Sequence, residues 1–179
     1  MCAFVGCGDP RVAGGNSSET PNTLTGTLLD TLGKPRAGDT ITLRPARWTA
    51  DDQPPAGMRA ANVWRTVTDS EGRWSVVGVE SGSWSIESRS GRLGRLCATV
   101  NLGAGGSEIA LRADTVYPHR RIAGAFAAGL FPRGARGKVY IYGTDVQTDI
   151  DTAGRFVLEG APVGDLRLVA QITSATGGQ

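Results

Sequence analysis

A chain of 179 residues with 40% apolar content is long enough for one large or two small domains with a core. Its net charge is +2, and its 17 Arg and 2 Lys are scattered among acids with no basic cluster, which argues against a nucleic-acid or membrane-surface role. Three cysteines, Cys2, Cys7 and Cys97, lack any Cys-x-x-Cys spacing and give neither a disulfide framework nor a metal knuckle, and no segment approaches the ~20 apolar residues of a membrane helix. Glycine is abundant, at 26 residues, and no run of about 10 residues keeps a helical apolar period. Residues 125–128 form at most one helical turn, because Gly124 and Gly129 flank them. Many short apolar runs between Gly-rich turns predict an all-β fold.

The chain opens on "FVGCGD" (residues 4–9), where a small residue precedes Cys7. This resembles the end of a bacterial lipoprotein signal and makes Cys7 a lipidation candidate. Six residues precede Cys7 and none is basic, so a complete signal requires a start upstream of Met1. "GDPRVAGGNSSETPN" follows, without apolar periodicity, so residues 1–22 are expected to be a disordered tether. Several acyl chains on Cys7, at about 0.8 kcal/mol per buried CH₂, would anchor the chain outside the cytoplasm.

Beyond the tether the sequence repeats itself. "VTDSEGRWSVVG" (residues 67–78) returns as "DIDTAGRFVLEG" (residues 149–160), an offset of 82. Asp69 and Asp151 can accept hydrogen bonds from amides two residues on, and Gly72 and Gly154 supply a positive φ, so each stretch reads as a hairpin turn. One carboxylate per turn is too few for Ca²⁺, which takes about 6 to 8 oxygens. "GVESGSWSI" matches "GAPVGDLRL" at the same offset, whereas "LTG" with "IAG" and "DTITLR" with "GKVYIY" match at 98. The difference places a 16-residue insertion in residues 45–62 of the first copy, a Pro/Ala/Asp-rich loop. The first copy adds two strands, "LGRLCATVNL" and "SEIALRA"; the sequence holds no second version of them. The second unit is therefore expected to be shorter, or to take strands from the first.

These motifs, "TGTLLD", "GKPRAGDTITL", "TDSEGRW" and "GVESGSWSI", resemble the carboxypeptidase regulatory-like domain, a transthyretin-like (prealbumin-like) Greek-key β-sandwich. The resemblance implies two sandwiches in tandem: residues 23–113, a linker at 114–120, a shorter unit at 121–173 and a tail at 174–179. Members of that family are non-catalytic modules appended to peptidases, surface proteins and sugar-binding systems, so it implies no activity.

Chemistry-bearing residues are sparse. The single histidine, His119, sits between the copies beside Pro118 and two arginines and reads as a linker residue. No Gly-x-Ser-x-Gly is present, Cys97 lies in an apolar run as a small buried hydrophobe, and the composition offers no zinc ligands. Of the carboxylate pairs, Asp51-Asp52 lies in the insertion and Asp149-Asp151 at a turn, so no glycosidase pair is signalled. Neither Lys34 nor Lys138 has a signalled buried acid for an isopeptide crosslink. Trp74 and Phe156, like Trp84 and Leu166, occupy equivalent strand positions and are expected in the core. Trp64, equivalent to Val146, is expected in the core or partly exposed. Trp48 has no counterpart, so Trp48 and then Trp64 are the candidate ligand contacts.

The expectation is an envelope or extracellular module with no catalytic residues, metal or cofactor. It would meet a protein or polysaccharide partner through loops or a sheet edge, and a membrane only through a lipid on Cys7. The alternatives are a carbohydrate-binding accessory module and a regulatory domain of a hydrolase complex.

Overall fold

The computed structural model describes residues 22–52, 63–127, 129–132 and 134–173, with backbone alone at 96–98. Cys7, the tether, the tail, most of the insertion and the Cys97 side chain lie outside the described residues. The described chain is all β apart from a 3-10 turn at Ala50–Asp52.

The first copy supplies β1 (Asn22–Leu29), β2 (Thr40–Pro45), β3 (Trp64–Val67), β4 (Arg73–Val79) and β5 (Gly82–Ser90). It then adds β6 (Leu93–Leu102) and β7 (Glu108–Ala110). Antiparallel β4 and parallel β7 flank β1; β5 is paired by β2 on one side and β6 on the other, with β3 outside β2. Strand alternation points Leu24, Leu28, Trp74 and Val76 from one sheet at Ile41, Leu43, Trp84 and Ile86 from the other, and these buried residues form one core. Trp64 packs edge-on to Trp84, centroids 4.8 Å apart.

The sandwich begins one residue before position 23. Asn22 is buried: its Nδ2 donates to the carbonyls of Val79 (3.3 Å) and Gly103 (3.1 Å), and its Oδ1 accepts from the Ser107 amide (3.0 Å). Residues 114–120, expected as a linker, are largely built into the first unit. β8 (Asp114–Thr115) runs parallel to β1 and β9 (Tyr117–Pro118) pairs with β6, with Val116 buried between them. The short stretch thus crosses from one sheet to the other before the second copy starts.

The second copy has β10 (Arg120–Ala125), β11 (Arg136–Ile141), β12 (Gln147–Asp149), β13 (Arg155–Ala161), β14 (Val163–Gly164) and β15 (Leu168–Thr173). Its ladders repeat the first: β10–β13 as β1–β4, β11–β12 as β2–β3, β11–β15 as β2–β5. Val139, Ile141, Val146, Ile150, Leu158 and Ala161 make a second core, with Phe156 and Leu166 packed against it. The short β14 pairs parallel with β6, tying the second copy to the sheet of β6, β5, β2 and β3.

The repeated turns agree atom for atom. Asp69 Oδ1 accepts from the amides of Glu71 (2.9 Å) and Arg73 (2.8 Å); Asp151 Oδ1 accepts from Ala153 (2.9 Å) and Arg155 (2.8 Å). Gly72 and Gly154 follow with φ of 72° and 76°. A second shared feature is a ring lying over a glycine. Gly26 pairs across strands with Trp74, and Gly124 with Phe156; a Cβ on either glycine would come within 2.7 Å and 2.5 Å of the ring.

Candidate functional site

The copies differ in how their sheets end. In the first, β5 and β1 are each paired on both sides. Their counterparts β15 and β10 are each paired on one side only among the described residues. β15 lies beside β11 with Leu168 opposite Ile141 and Ala170 opposite Val139, so these residues share the core-facing side. That side is nevertheless open. Leu168 is 42% exposed, where its equivalent Ile86 is 4% exposed, and Ile172 is 38% exposed. β15 reads LVAQIT, with no charge, Pro or Gly. Natural edge strands are normally guarded by charges, prolines or bulges. The other edge strands of three or more residues, β3, β4, β7, β10, β12 and β13, each carry a charge.

The junction between the copies is the most charged buried region. On β2 and β5 the side chains that point away from the core include Thr42, Arg44, Ser85 and Glu87, all buried. The turn after β11 covers them. Arg44 Nη1 donates to Glu87 Oε2 (2.5 Å) and to the Gly143 carbonyl (3.0 Å). Arg89 Nη2 reaches both Glu87 Oε1 and Asp145 Oδ1 at 2.7 Å. An Arg-Glu-Arg-Asp chain therefore spans the two units. The Nε atoms of Arg44 and Arg89 and Nε2 of His119 are buried without a partner. His119 is packed on β6, where a Cβ on Gly94 would lie 2.6 Å from Nε2. Burial, then the Arg89 charge, hold its pKa below the usual 6.5, against the pull of Glu87 and Asp145.

Trp48, expected to be free to meet a ligand, is buried at 6% exposure. The Arg44 guanidinium stacks on its ring at 4.7 Å, and its carbonyl accepts from the Gly143 amide (2.8 Å). The ring thus packs against the first unit through Arg44, while the Trp48 carbonyl ties the start of the insertion loop to the second unit. Trp64 is partly buried against the first core. The structure does not bring these two candidates into one exposed surface. Asp51 instead accepts a hydrogen bond from Tyr140 and lies 3.4 Å from Lys138 Nζ. Burial, then the Asp51 carboxylate, push the Tyr140 phenol up to about 12. Lys138 and Asp51 are both about half exposed, unlike a buried crosslinking pair. The turn residues Asp69, Gly72, Asp151 and Gly154 make the contacts given above, and neighbouring amides, chiefly those of Arg73 and Arg155, hold both carboxyls below their usual range. Among the described residues no three His, Cys, Asp or Glu gather to hold a metal, and no helix is long and apolar enough to cross a membrane.

No family profile matches the chain, and no curated protein does. Solved structures resemble it at low scores. A type II cohesin–X-dockerin complex from Acetivibrio cellulolyticus matches at 16% identity and TM-score 0.36, over 55% of this chain and 58% of that one. A candidate carbohydrate-binding protein from Pseudomonas aeruginosa matches at 15% and 0.33, over 52% and 89%. A streptococcal ancillary pilin matches at 15% and 0.35, over 88% and 60%. A chlorocatechol dioxygenase from Rhodococcus opacus stands at the same level. This chain thus spans under two thirds of the cohesin complex chain.

Proposed function

We propose that this chain is a non-enzymatic interaction module in which two carboxypeptidase regulatory-like units, residues 23–113 and 121–173, form one body, and that the second unit binds a partner by strand addition. The observation that carries this is the uncharged edge of β15, unpaired among the described residues, with Leu168 and Ile172 left about 40% exposed beside it. The first copy indicates the occupant. The same position beside β5 is filled antiparallel by β6, LGRLCATVNL. The partner is accordingly an extended protein strand, apolar at alternate positions, antiparallel to β15. Main-chain hydrogen bonds would supply affinity, and Leu168 and Ile172 the selectivity.

The probe is a labelled peptide copying residues 93–102, with Ser for Cys97, read by fluorescence anisotropy against the full chain. Saturable binding that slows hydrogen exchange at residues 168–173, and weakens at least tenfold in Ile172→Lys, is the expected result. Unchanged exchange there, or equal binding by the variant with its thermal unfolding intact, would overturn the reading. Envelope display through a lipid on Cys7 belongs to the same proposal. An alkyne fatty acid fed to the native host should label the protein and fail to label Cys7→Ser.

A further inference from the structure

A second surface, separate from the β15 edge, has the chemistry of a ligand site. An open cleft of about 1060 Å³ lies where the two units meet. Its floor is the outward face of β5 and β6, where alternation sets Ser83 and Ser85 beside Thr99 and Asn101. Ser83 Oγ and Asn101 Oδ1 are 2.6 Å apart, which leaves the Asn101 amide nitrogen to donate elsewhere. One wall is the segment after β2, held by the Ala46 amide on the Ser83 carbonyl at 2.9 Å. The other follows β14, whose pairing with β6 fixes it, and the Tyr142 amide donates to the Arg167 carbonyl at 3.0 Å. Both walls are thus set by backbone hydrogen bonds.

The walls carry Arg47 and Arg167, both exposed and without an ion-pair partner among the described residues, and Asp165 lies beside Arg167. Tyr142 also lines the cleft. Two unpaired guanidinium groups suit a carboxylate, which each can hold with paired N–H donors. Hydroxyls, an amide and one carboxylate suit a ligand with many hydroxyls, and a tyrosine ring suits the apolar face of a sugar. We infer that the cleft between the units binds an acidic oligosaccharide, with a uronate carboxylate at Arg47 and Arg167 and sugar hydroxyls at Asp165, Asn101 and Ser83. Trp48 takes no part, because its ring is buried at the junction.

Affinity electrophoresis of the full chain tests this, in gels containing polygalacturonate, neutral dextran or single-stranded DNA. Expected is retardation by polygalacturonate alone, weakened at least tenfold in Arg47→Ala/Arg167→Ala. The double variant Arg65→Ala/Arg92→Ala loses the same charge from exposed sites elsewhere and should be retarded like wild type. Absence of retardation, equal retardation by DNA, or equal weakening in both double variants would overturn the assignment. Thermal unfolding of each variant shows that its fold persists, and peptide binding at β15 should not change, which keeps the two surfaces distinguishable.

Discussion

Alanine at Gly26 or Gly124 tests whether the ring-over-glycine contact is a shared structural device. Neither glycine has a positive φ, so alanine is allowed by the backbone. On chain entropy alone the change should stabilise by about 0.4–1 kcal/mol. The ring reverses the sign. The new Cβ at Gly26 would sit 2.7 Å from Trp74 Cζ2, against an optimal carbon separation of about 3.5–4.0 Å. Trp74 is buried in the first core, so it cannot swing out freely. Overpacking of this kind costs about 1–3 kcal/mol. The net loss for Gly26→Ala is then on the order of 1–2 kcal/mol, or roughly 2–8 °C in Tm for a chain this size. Phe156 is only half buried and can yield, so Gly124→Ala should cost less although its clash is closer, at 2.5 Å. Urea unfolding measures both. Gly103→Ala is the control, since its Cβ would meet nothing within 4 Å. In Gly124→Ala/Phe156→Leu the two losses should add to less than their sum, because the ring that clashes is gone. A Gly26→Ala protein as stable as wild type would refute the argument.

Two further outcomes concern the junction. Glu87→Gln leaves the buried Arg44 with no counter-charge, since Asp145 reaches only the partly exposed Arg89, so chemical unfolding should show a loss on the order of 3–5 kcal/mol. His119 binds protons less readily folded than unfolded, because burial and Arg89 lower its pKa. Its contribution is therefore complete above pH 6.5 and is lost as pH falls towards the folded pKa. Urea midpoints at pH 7.5 and 5.5 should differ more in wild type than in His119→Gln, and equal differences would exclude the histidine.

The repeat, its offsets and its turns were legible because each rests on local chemistry. Asp-x-x-Gly sets a turn whatever packs around it, and Trp74 and Val76, like Phe156 and Leu158, recur every second residue in strands whose inner face is buried. The junction was not legible, for a physical reason. Thr42, Arg44, Glu87 and Arg89 occupy the positions that alternation assigns to solvent, and a period-2 pattern cannot distinguish a face meeting water from one meeting a second polar surface. Burial of these groups depends on Gly143 and Asp145, about 100 residues along the chain from Arg44. The burial of Trp48 has the same origin: a tryptophan in a Pro-rich loop looks free until Arg44 stacks on its ring and Gly143 bonds its carbonyl. Tyr142, Arg47 and Arg167 carried no signal, since only the docking of β14 on β6 brings their segments to one cleft.

The junction also explains why the two copies have different edges. A sandwich standing alone must keep its outer faces polar, and burying such a face demands a partner for each charge. The Arg44–Glu87–Arg89–Asp145 chain meets most of that demand, and it does so only when the turn after β11 sits over β2 and β5. That placement brings β14 alongside β6, so the β6 edge of the β6–β5–β2–β3 sheet is covered by the second copy. Beyond β15 no described strand serves in the same way. Among the described residues the β15 edge is unpaired, uncharged and lined by Leu168 and Ile172, and it is this difference from the first copy on which the proposed strand addition rests.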